Sequence, residues 1–319
     1  MNEDNSRQDF DISVVIPVFN EAASIPILHE KLTAVLPTVA ERYEIIFVDD
    51  GSSDDTATVL EQLHRQHENV RVIQFRRNFG KSAALAVGFS EAQGQIIITM
   101  DADLQDEPAE IPHFLETLEQ GYDLVSGWKH PRQDPLSKTI PSMLFNLITK
   151  LFSGITLHDF NCGFKAYRKE VVRELRIYGE LHRYIAVLAH WRGFKVTEIK
   201  VEHHPRRFGR SKYGWERFSR GLFDLLTVLF LNRYNRRPLH LFGWLGAIVF
   251  AVGVVINLYL TVLWLNGVRP IGTRPLLSLG VLLVFMGIQF VSVGLLAELI
   301  AQISSSACGE DYSIKRILR

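Results

Sequence analysis

Two carboxylates set two residues apart, Asp101 and Asp103, follow directly on the apolar run Ile96-Ile97-Ile98. Clustered oxygen ligands suit a hard divalent cation, which commonly takes one or two carboxylates and completes its shell with substrate phosphates. The pair is therefore a candidate metal–diphosphate site, although an Asp pair in this position can equally cap the following helix. Two further polar clusters terminate apolar runs. Val14-Val15-Ile16-Pro17-Val18-Phe19-Asn20-Glu21 ends the first, and Val48-Asp49-Asp50-Gly51-Ser52-Ser53-Asp54 ends the second. An Asp at such a strand end can accept a hydrogen bond from a ribose or base; Asp-Gly-Ser is also ordinary turn chemistry. The three clusters together are far more specific than any one of them.

For these groups to meet, the apolar runs must lie side by side in one sheet. The sequence predicts strands at 12–18, 43–48, 70–75, 95–100 and 122–128, alternating with helices at 23–36, 54–67, 81–92 and 108–120. Continuous apolar strands in strict alternation with helices imply a mostly parallel sheet covered on both faces. Ligands of such sheets bind at the carboxyl ends of the strands, where all three clusters fall. Gly80-Lys81-Ser82 looks like the end of a phosphate-binding P-loop, but that loop needs a glycine where Phe75 stands. Lys81 reads either as nucleotide-facing or as a solvated lysine, and the His203-His204 pair as structural rather than metal-ligating.

Lys+Arg and Asp+Glu number 35 each among 319 residues, so no global basic field points to nucleic acid. The 47% hydrophobic content is concentrated late in the chain. Stretches at 239–265 and 276–303 each exceed the roughly 20 apolar residues needed to cross a bilayer, with Trp244, Tyr259 and Trp264 suited to its interfaces. Arg233, Arg236 and Arg237 before the first span, and Lys315, Arg316 and Arg319 after the second, outnumber Arg269 and Arg274 between them. Both ends, and the large domain with them, are thereby expected in the cytoplasm. The polar first ten residues hold no signal-peptide core. Cys162 and Cys308 have no metal-type spacing and are expected to be free thiols. Glu298, late in the second span, is expected near the cytoplasmic interface, paired or solvated. Segments 135–155 and 215–234 are amphipathic and aromatic; they read as core helices or as helices lying in the membrane interface, and the second runs directly into the first span.

The motifs VVIPVFNE, VDDGSSDDT, RNFGKSAALAVG and MDADLQDEP resemble the inverting family 2 glycosyltransferases of the GT-A fold. Asp159–Arg168 (DFNCGFKAYR), Arg206–Tyr213 (RRFGRSKY) and the two spans narrow the resemblance to polyprenyl-phosphate glycosyltransferases, over about residues 12–300. The resemblance implies a Rossmann-like α/β GT-A domain at 11–213 behind a polar tail at 1–10. It further implies an interfacial helix near 135–155, a juxtamembrane helix at 214–236, the two spans within 237–303 and a cytoplasmic tail at 304–319. It implies a nucleotide pocket of Pro17, Asn20, Glu21, Asp49, Asp50 and Asp101, with Asn78, Gly80 and Lys81 nearby. Asp101, Asp103 and Gln105 would hold Mg²⁺ or Mn²⁺, with Asp103 and Asp159 the catalytic carboxylates. Asp159 stays open between an orienting, a proton-accepting and a structural role. Arg132, Lys138, Arg206, Ser211 and Lys212 would grip phosphate of donor or acceptor. The implied reaction is inverting transfer of one sugar from a UDP- or GDP-sugar to polyprenyl phosphate at the cytoplasmic face of a membrane, most simply a bacterial inner membrane, by a homo-oligomer, a tetramer in the family. The alternatives are a processive polysaccharide synthase, whose Gln-x-x-Arg-Trp motif and additional spans are absent, and a non-catalytic membrane scaffold with a degenerate transferase domain. One departure stands out: where the family commonly carries a Gly-Glu-Tyr-Ile-Gly-Arg type segment, this chain has Ala297-Glu298-Leu299-Ile300-Ala301-Gln302.

Overall fold

A computed structural model describes residues 10–130, 153–175, 181–204, 238–268 and 274–308. It also describes Asn146, Thr149, Lys150, Ile177, Gly179, Pro270 and Gly272. Two compact units divide the chain, residues 1–226 and 227–319.

The first unit is built on a seven-stranded sheet in the order β3-β2-β1-β4-β6-β5-β7. Its strands are β1 (Ile12–Val18), β2 (Tyr43–Asp49), β3 (Val70–Gln74), β4 (Ile96–Thr99), β5 (Leu124–Lys129), β6 (Lys165–Arg168) and β7 (Val196–Val201). Helices α1 (Ile25–Val39), α2 (Thr56–Gln66), α3 (Lys81–Glu91) and α4 (Ile111–Glu119) connect the first five strands. A 3₁₀ turn at Pro108–Glu110 opens the last of them, where proline's missing N–H loses no helical bond. Two short helices, α5 (Lys169–Glu174) and α6 (Ile185–Trp191), follow β6. Strands β1 to β4 are parallel, and β1 is shielded on both faces, with Val14, Val15 and Ile16 fully buried. Each such side chain stabilises the fold by about 1.5–3 kcal/mol relative to exposure.

All five anticipated strands form, with ends within two residues of expectation. Two further strands were not anticipated. β6 inserts antiparallel between β4 and β5, and β7 pairs parallel to β5 at the edge. The reversal of β6 has a direct consequence. Thr99, at the end of β4, pairs with Lys165, at the start of β6. The segment leading into β6 therefore arrives at the same sheet edge as Asp101 and Asp103.

The second unit is a helical hairpin, α7 (Pro238–Leu265) and α8 (Pro275–Cys308). Mean hydropathies of 2.4 and 2.3, with only 11% and 17% of those windows buried, separate both helices from the core helices of a soluble protein. They are long and apolar enough to cross a membrane. Besides Pro238 at its start, the buried positions along α7 are Gly246, Gly253 and Leu260, each seven residues from the next. A Cβ on Gly253 would lie 2.8 Å from the Gly280 carbonyl, and one on Gly246 2.7 Å from that of Gly287. Small residues at this repeat let two membrane helices pack backbone to backbone. At the base of the hairpin, the Leu239 N–H donates to the Glu298 carboxylate at 3.2 Å. Glu298 is thus paired within the hairpin, at the positive end of the α7 dipole.

Candidate active site

The carboxyl edge of the sheet is organised around Asp101. The Thr99 hydroxyl donates to the Gly163 carbonyl at 2.8 Å and locks the turn after β4 to the turn before β6. Gly163 has no side chain because there is no room for one. A Cβ there would lie 2.7–2.8 Å from the Asp101 carboxylate atoms. The Lys81 ammonium, from the first turn of α3, forms an ion pair with Asp101 Oδ1. Burial pushes the Asp101 carboxyl up, but Lys81, Lys129 and His182 outweigh it and hold the group at about 2. At neutral pH it is a carboxylate facing three basic side chains.

Asp103 sits in the same turn, where Leu104 takes a left-handed backbone (φ 61°) and the Gln105 N–H donates to Asp103 Oδ1 at 3.3 Å. The Gln105 side-chain amide donates to the His204 carbonyl at 3.3 Å, and the His204 N–H returns a bond to the Gln105 carbonyl. Among the described residues no group of three or more His, Cys, Asp and Glu side chains is arranged to hold a metal ion. The donors present are two carboxylates and a carboxamide, all hard oxygens, and a cation already lies against one of them. That set suits Mg²⁺ or Mn²⁺ with the rest of its shell supplied by substrate phosphates.

Asp159 is buried at 1% exposure, with Oδ1 accepting the Asn161 N–H at 3.1 Å. Two lysines run beneath this edge. Lys129, at the end of β5, lies 3.6 Å from the buried Asp106 carboxylate. Burial alone would lower its pKa, yet Asp106, Asp101 and Asp159 more than compensate, so the ammonium stays charged. Lys165 is almost fully buried and donates to the Cys162 carbonyl; there burial dominates and lowers its pKa. Burial also pushes the intervening Cys162 thiol up to about 12 and keeps it inert. His182, from the 3₁₀ turn Leu181–Tyr184, reaches the site through Ser82, with Nδ1 2.8 Å from its hydroxyl.

The clusters after β1 and β2 sit at the same edge, but most of their hydrogen bonds are internal. Asn20 has a left-handed backbone (φ 56°), and its Oδ1 accepts the Ser53 N–H at 2.8 Å. Asp49 accepts both the N–H and the hydroxyl of Ser52. The Glu21 N–H donates to the Thr56 hydroxyl, and Ser24 donates to the Glu21 carboxylate. Pro17 lies within β1 as it enters this edge. Asp50, 4% exposed, accepts the N–H groups of Phe79 (2.7 Å) and Gly80 (2.9 Å). Its carboxylate holds the loop that carries Asn78, Gly80 and Lys81. Burial raises its pKa, opposed by those two N–H groups.

The structure thus brings Asp101, Asp103, Gln105, Asp159, Lys81, Gly80 and the β1–β2 clusters to one edge. Arg132, Lys138, Arg206, Ser211 and Lys212 lie outside the described residues, as do segment 215–234 and most of 135–155. Gly163, Lys129, Lys165, Ser82 and His182 were not legible as site residues. The glycine within Asn161-Cys162-Gly163 was the available signal; the others depend on contacts remote in sequence.

Comparison with known proteins follows the same outline. Residues 13–176 match the family described as Glycosyl transferase family 2. The chain is 39% identical over 300 residues to the dodecaprenyl-phosphate galacturonate synthase of Rhizobium johnstonii, covering 92% of this chain and 89% of that protein. It is 38% identical over 294 residues to an undecaprenyl-phosphate 4-deoxy-4-formamido-L-arabinose transferase of Photorhabdus laumondii, with coverages of 92% and 89%. Among solved structures it is similar to glucosyl-3-phosphoglycerate synthase from Mycobacterium tuberculosis in complex with Mn²⁺, uridine diphosphate and phosphoglyceric acid. The TM-score is 0.56 at 18% identity, over 70% of this chain and 78% of that one, a likeness of fold.

Proposed function

The chain belongs to glycosyl transferase family 2, and we propose that it transfers a single sugar from a nucleotide-sugar to the phosphate of a polyprenyl phosphate at the cytoplasmic membrane face. The observation that carries this reading is the ionised Asp101, set between Lys81 and Gly163 at the sheet edge, in a chain that carries an apolar helical hairpin. Its relatives along nearly the whole length are named for sugar transfer to polyprenyl phosphates.

In the proposed reaction an acceptor phosphate oxygen attacks the anomeric carbon. The bond from that carbon to the donor's diphosphate breaks on the opposite side, and its electron pair leaves with the nucleoside diphosphate. The configuration inverts. Asp101 and Asp103, with Gln105, would hold Mg²⁺ or Mn²⁺, which supplies Lewis-acid neutralisation of the departing diphosphate. Lys81 faces the same charge from the N-terminus of α3, where backbone N–H groups also favour an anion. The acceptor needs little deprotonation, because a phosphate monoester has its second pKa near about 6. Asp159 accordingly acts as an orienting carboxylate, buried and hydrogen-bonded within its own loop. Pro17, Asn20, Glu21 and Asp49 shape the nucleotide side of the pocket. Asp50 acts there through the 78–81 loop that it holds.

Mass spectrometry of the lipid extract tests the reading. A polyprenyl phosphate heavier by one glycosyl unit is expected, and NMR of that product is expected to show an anomeric configuration opposite to the donor's. A ladder of glycosyl units would instead identify a polymerising synthase, and retained configuration would exclude the direct displacement.

A further inference from the structure

Among the described residues of the first unit, Phe79 stands apart as the large hydrophobic side chain left exposed, at 55%; the other exposed large hydrophobics lie on or beside α7 and α8. An isolated exposed apolar residue needs no explanation by itself. Here, however, four contacts hold the ring or the loop that carries it. Asp50, buried at the end of β2, accepts the backbone N–H groups of Phe79 and Gly80. Gly51 (φ 71°) lies so close to the same loop that a Cβ would meet the Arg77 carbonyl carbon at 2.4 Å. The Arg77 guanidinium stacks over the ring, 4.5 Å from its centroid. Phe75 meets the ring edge-on at 5.7 Å, and the Phe75 N–H is itself bonded to the Asp49 carbonyl at 2.8 Å. A buried carboxylate, a glycine in a conformation other residues avoid and a cation–π stack therefore fix an aromatic ring in solvent. Such pre-organisation lowers the ordering cost of binding a flat partner.

We propose that Phe79, backed by Arg77, is the stacking platform for the nucleobase of the donor. The proposal rests on the nucleotide-sugar reading above and names the part of the donor that this loop recognises. Lys81, two residues on, reaches Asp101, where the diphosphate is proposed to bind. Two residues of chain span at most about 7 Å, so one ligand can touch both positions. Stacking is tolerant of base identity, because every base presents a π face. The platform thus strengthens binding of either a uridine or a guanosine donor, and the choice between them falls to hydrogen bonds elsewhere in the pocket.

The test uses the full-length protein in detergent with four probes: UDP, GDP, ribose 5-diphosphate, which lacks a base, and inorganic diphosphate. Phe79→Ala is expected to weaken whichever nucleoside diphosphate the wild type binds by about tenfold, within the range for one aromatic–base stack. Binding of the two base-free probes is expected to stay within twofold, and Phe79→Trp to restore nucleotide affinity. With substrates, donor KM rises about tenfold while kcat at saturating donor is unchanged, the pattern of binding energy lost equally from ground and transition states. Equal nucleotide affinity in Phe79→Ala and wild type would overturn the inference alone, as would equal weakening of the base-free probes. Failure of the wild type to bind either nucleotide would overturn the donor reading and the inference together.

Discussion

Replacing Gly163 with alanine adds one methyl group against the Asp101 carboxylate and nothing else. Gly163 is not among the glycines with positive φ, so alanine meets no backbone strain there. The new carbon would sit 2.7–2.8 Å from the carboxylate oxygens. That is about 0.7 Å short of ordinary van der Waals separation, and the carboxylate must swing away by about that amount. A misplacement of 1 Å at a reacting centre costs on the order of 100-fold, so ~0.7 Å scales to a loss of about 25-fold in kcat/KM, or ~1.9 kcal/mol of transition-state stabilisation. Stability changes little, because the half-buried carboxylate can move towards solvent; a loss under ~1 kcal/mol corresponds to a fall in Tm of less than about 4 °C. The assay is transfer of labelled sugar into lipid under kcat/KM conditions, paired with a melting curve in the same detergent. The divalent-ion concentration for half-maximal rate is expected to rise in the variant. A Gly163→Ala enzyme within twofold of wild-type kcat/KM would refute the placement of Asp101 at the reacting centre.

Three other perturbations follow from the geometry. Asp50→Ala removes two charge-assisted bonds to Phe79 and Gly80, which is expected to lower stability by about 3 kcal/mol and Tm by about 6–12 °C, with Asp50→Asn losing roughly half as much; differential scanning fluorimetry reads both. Glu298→Ala leaves the Leu239 N–H uncapped and is expected to lower unfolding free energy by about 1 kcal/mol in mild detergent, while Glu298→Gln, which keeps an acceptor, loses less; equal melting of all three proteins would dismiss the cap. His29 is buried against His67, ring centroids 4.3 Å apart, and burial first, then His67, lowers its pKa below the ordinary 6.5. The unfolded chain then binds more protons than the folded one, so stability falls as pH drops below about 6.5. His29→Gln is expected to flatten the Tm profile between pH 7 and 5, and an unchanged slope would assign the acid sensitivity elsewhere.

The five strands anticipated from sequence were legible because each is a continuous apolar run between turn residues, a pattern that burial on both faces enforces. The hairpin was legible from length and apolarity alone. β6 was not, since Lys165-Ala166-Tyr167-Arg168 is four residues long and carries a buried lysine. Its place between β4 and β5 is decided by partners about 40 to 70 residues distant in sequence. The site was half legible on the same grounds. Asp101 and Asp103 announce themselves by spacing after a strand, whereas Gly163 matters only because β6 reverses and returns its leading turn to Asp101. Asp50 shows what spacing alone leaves out: its position at a strand end suggests a nucleotide contact, and its bonds to Phe79 and Gly80, 29 and 30 residues away, add a hold on the neighbouring loop.

The full chain reconstituted in vesicles with undecaprenyl phosphate, supplied in turn with labelled UDP- and GDP-sugars and a divalent cation, tests the central proposal most directly. Label from one donor is expected to move into the organic-extractable lipid in the wild type and to stay in the aqueous phase with Asp101→Asn. Lipid labelling that survives Asp101→Asn unchanged, or its absence with every nucleotide-sugar offered to the wild type, would contradict a polyprenyl-phosphate sugar transferase centred on Asp101.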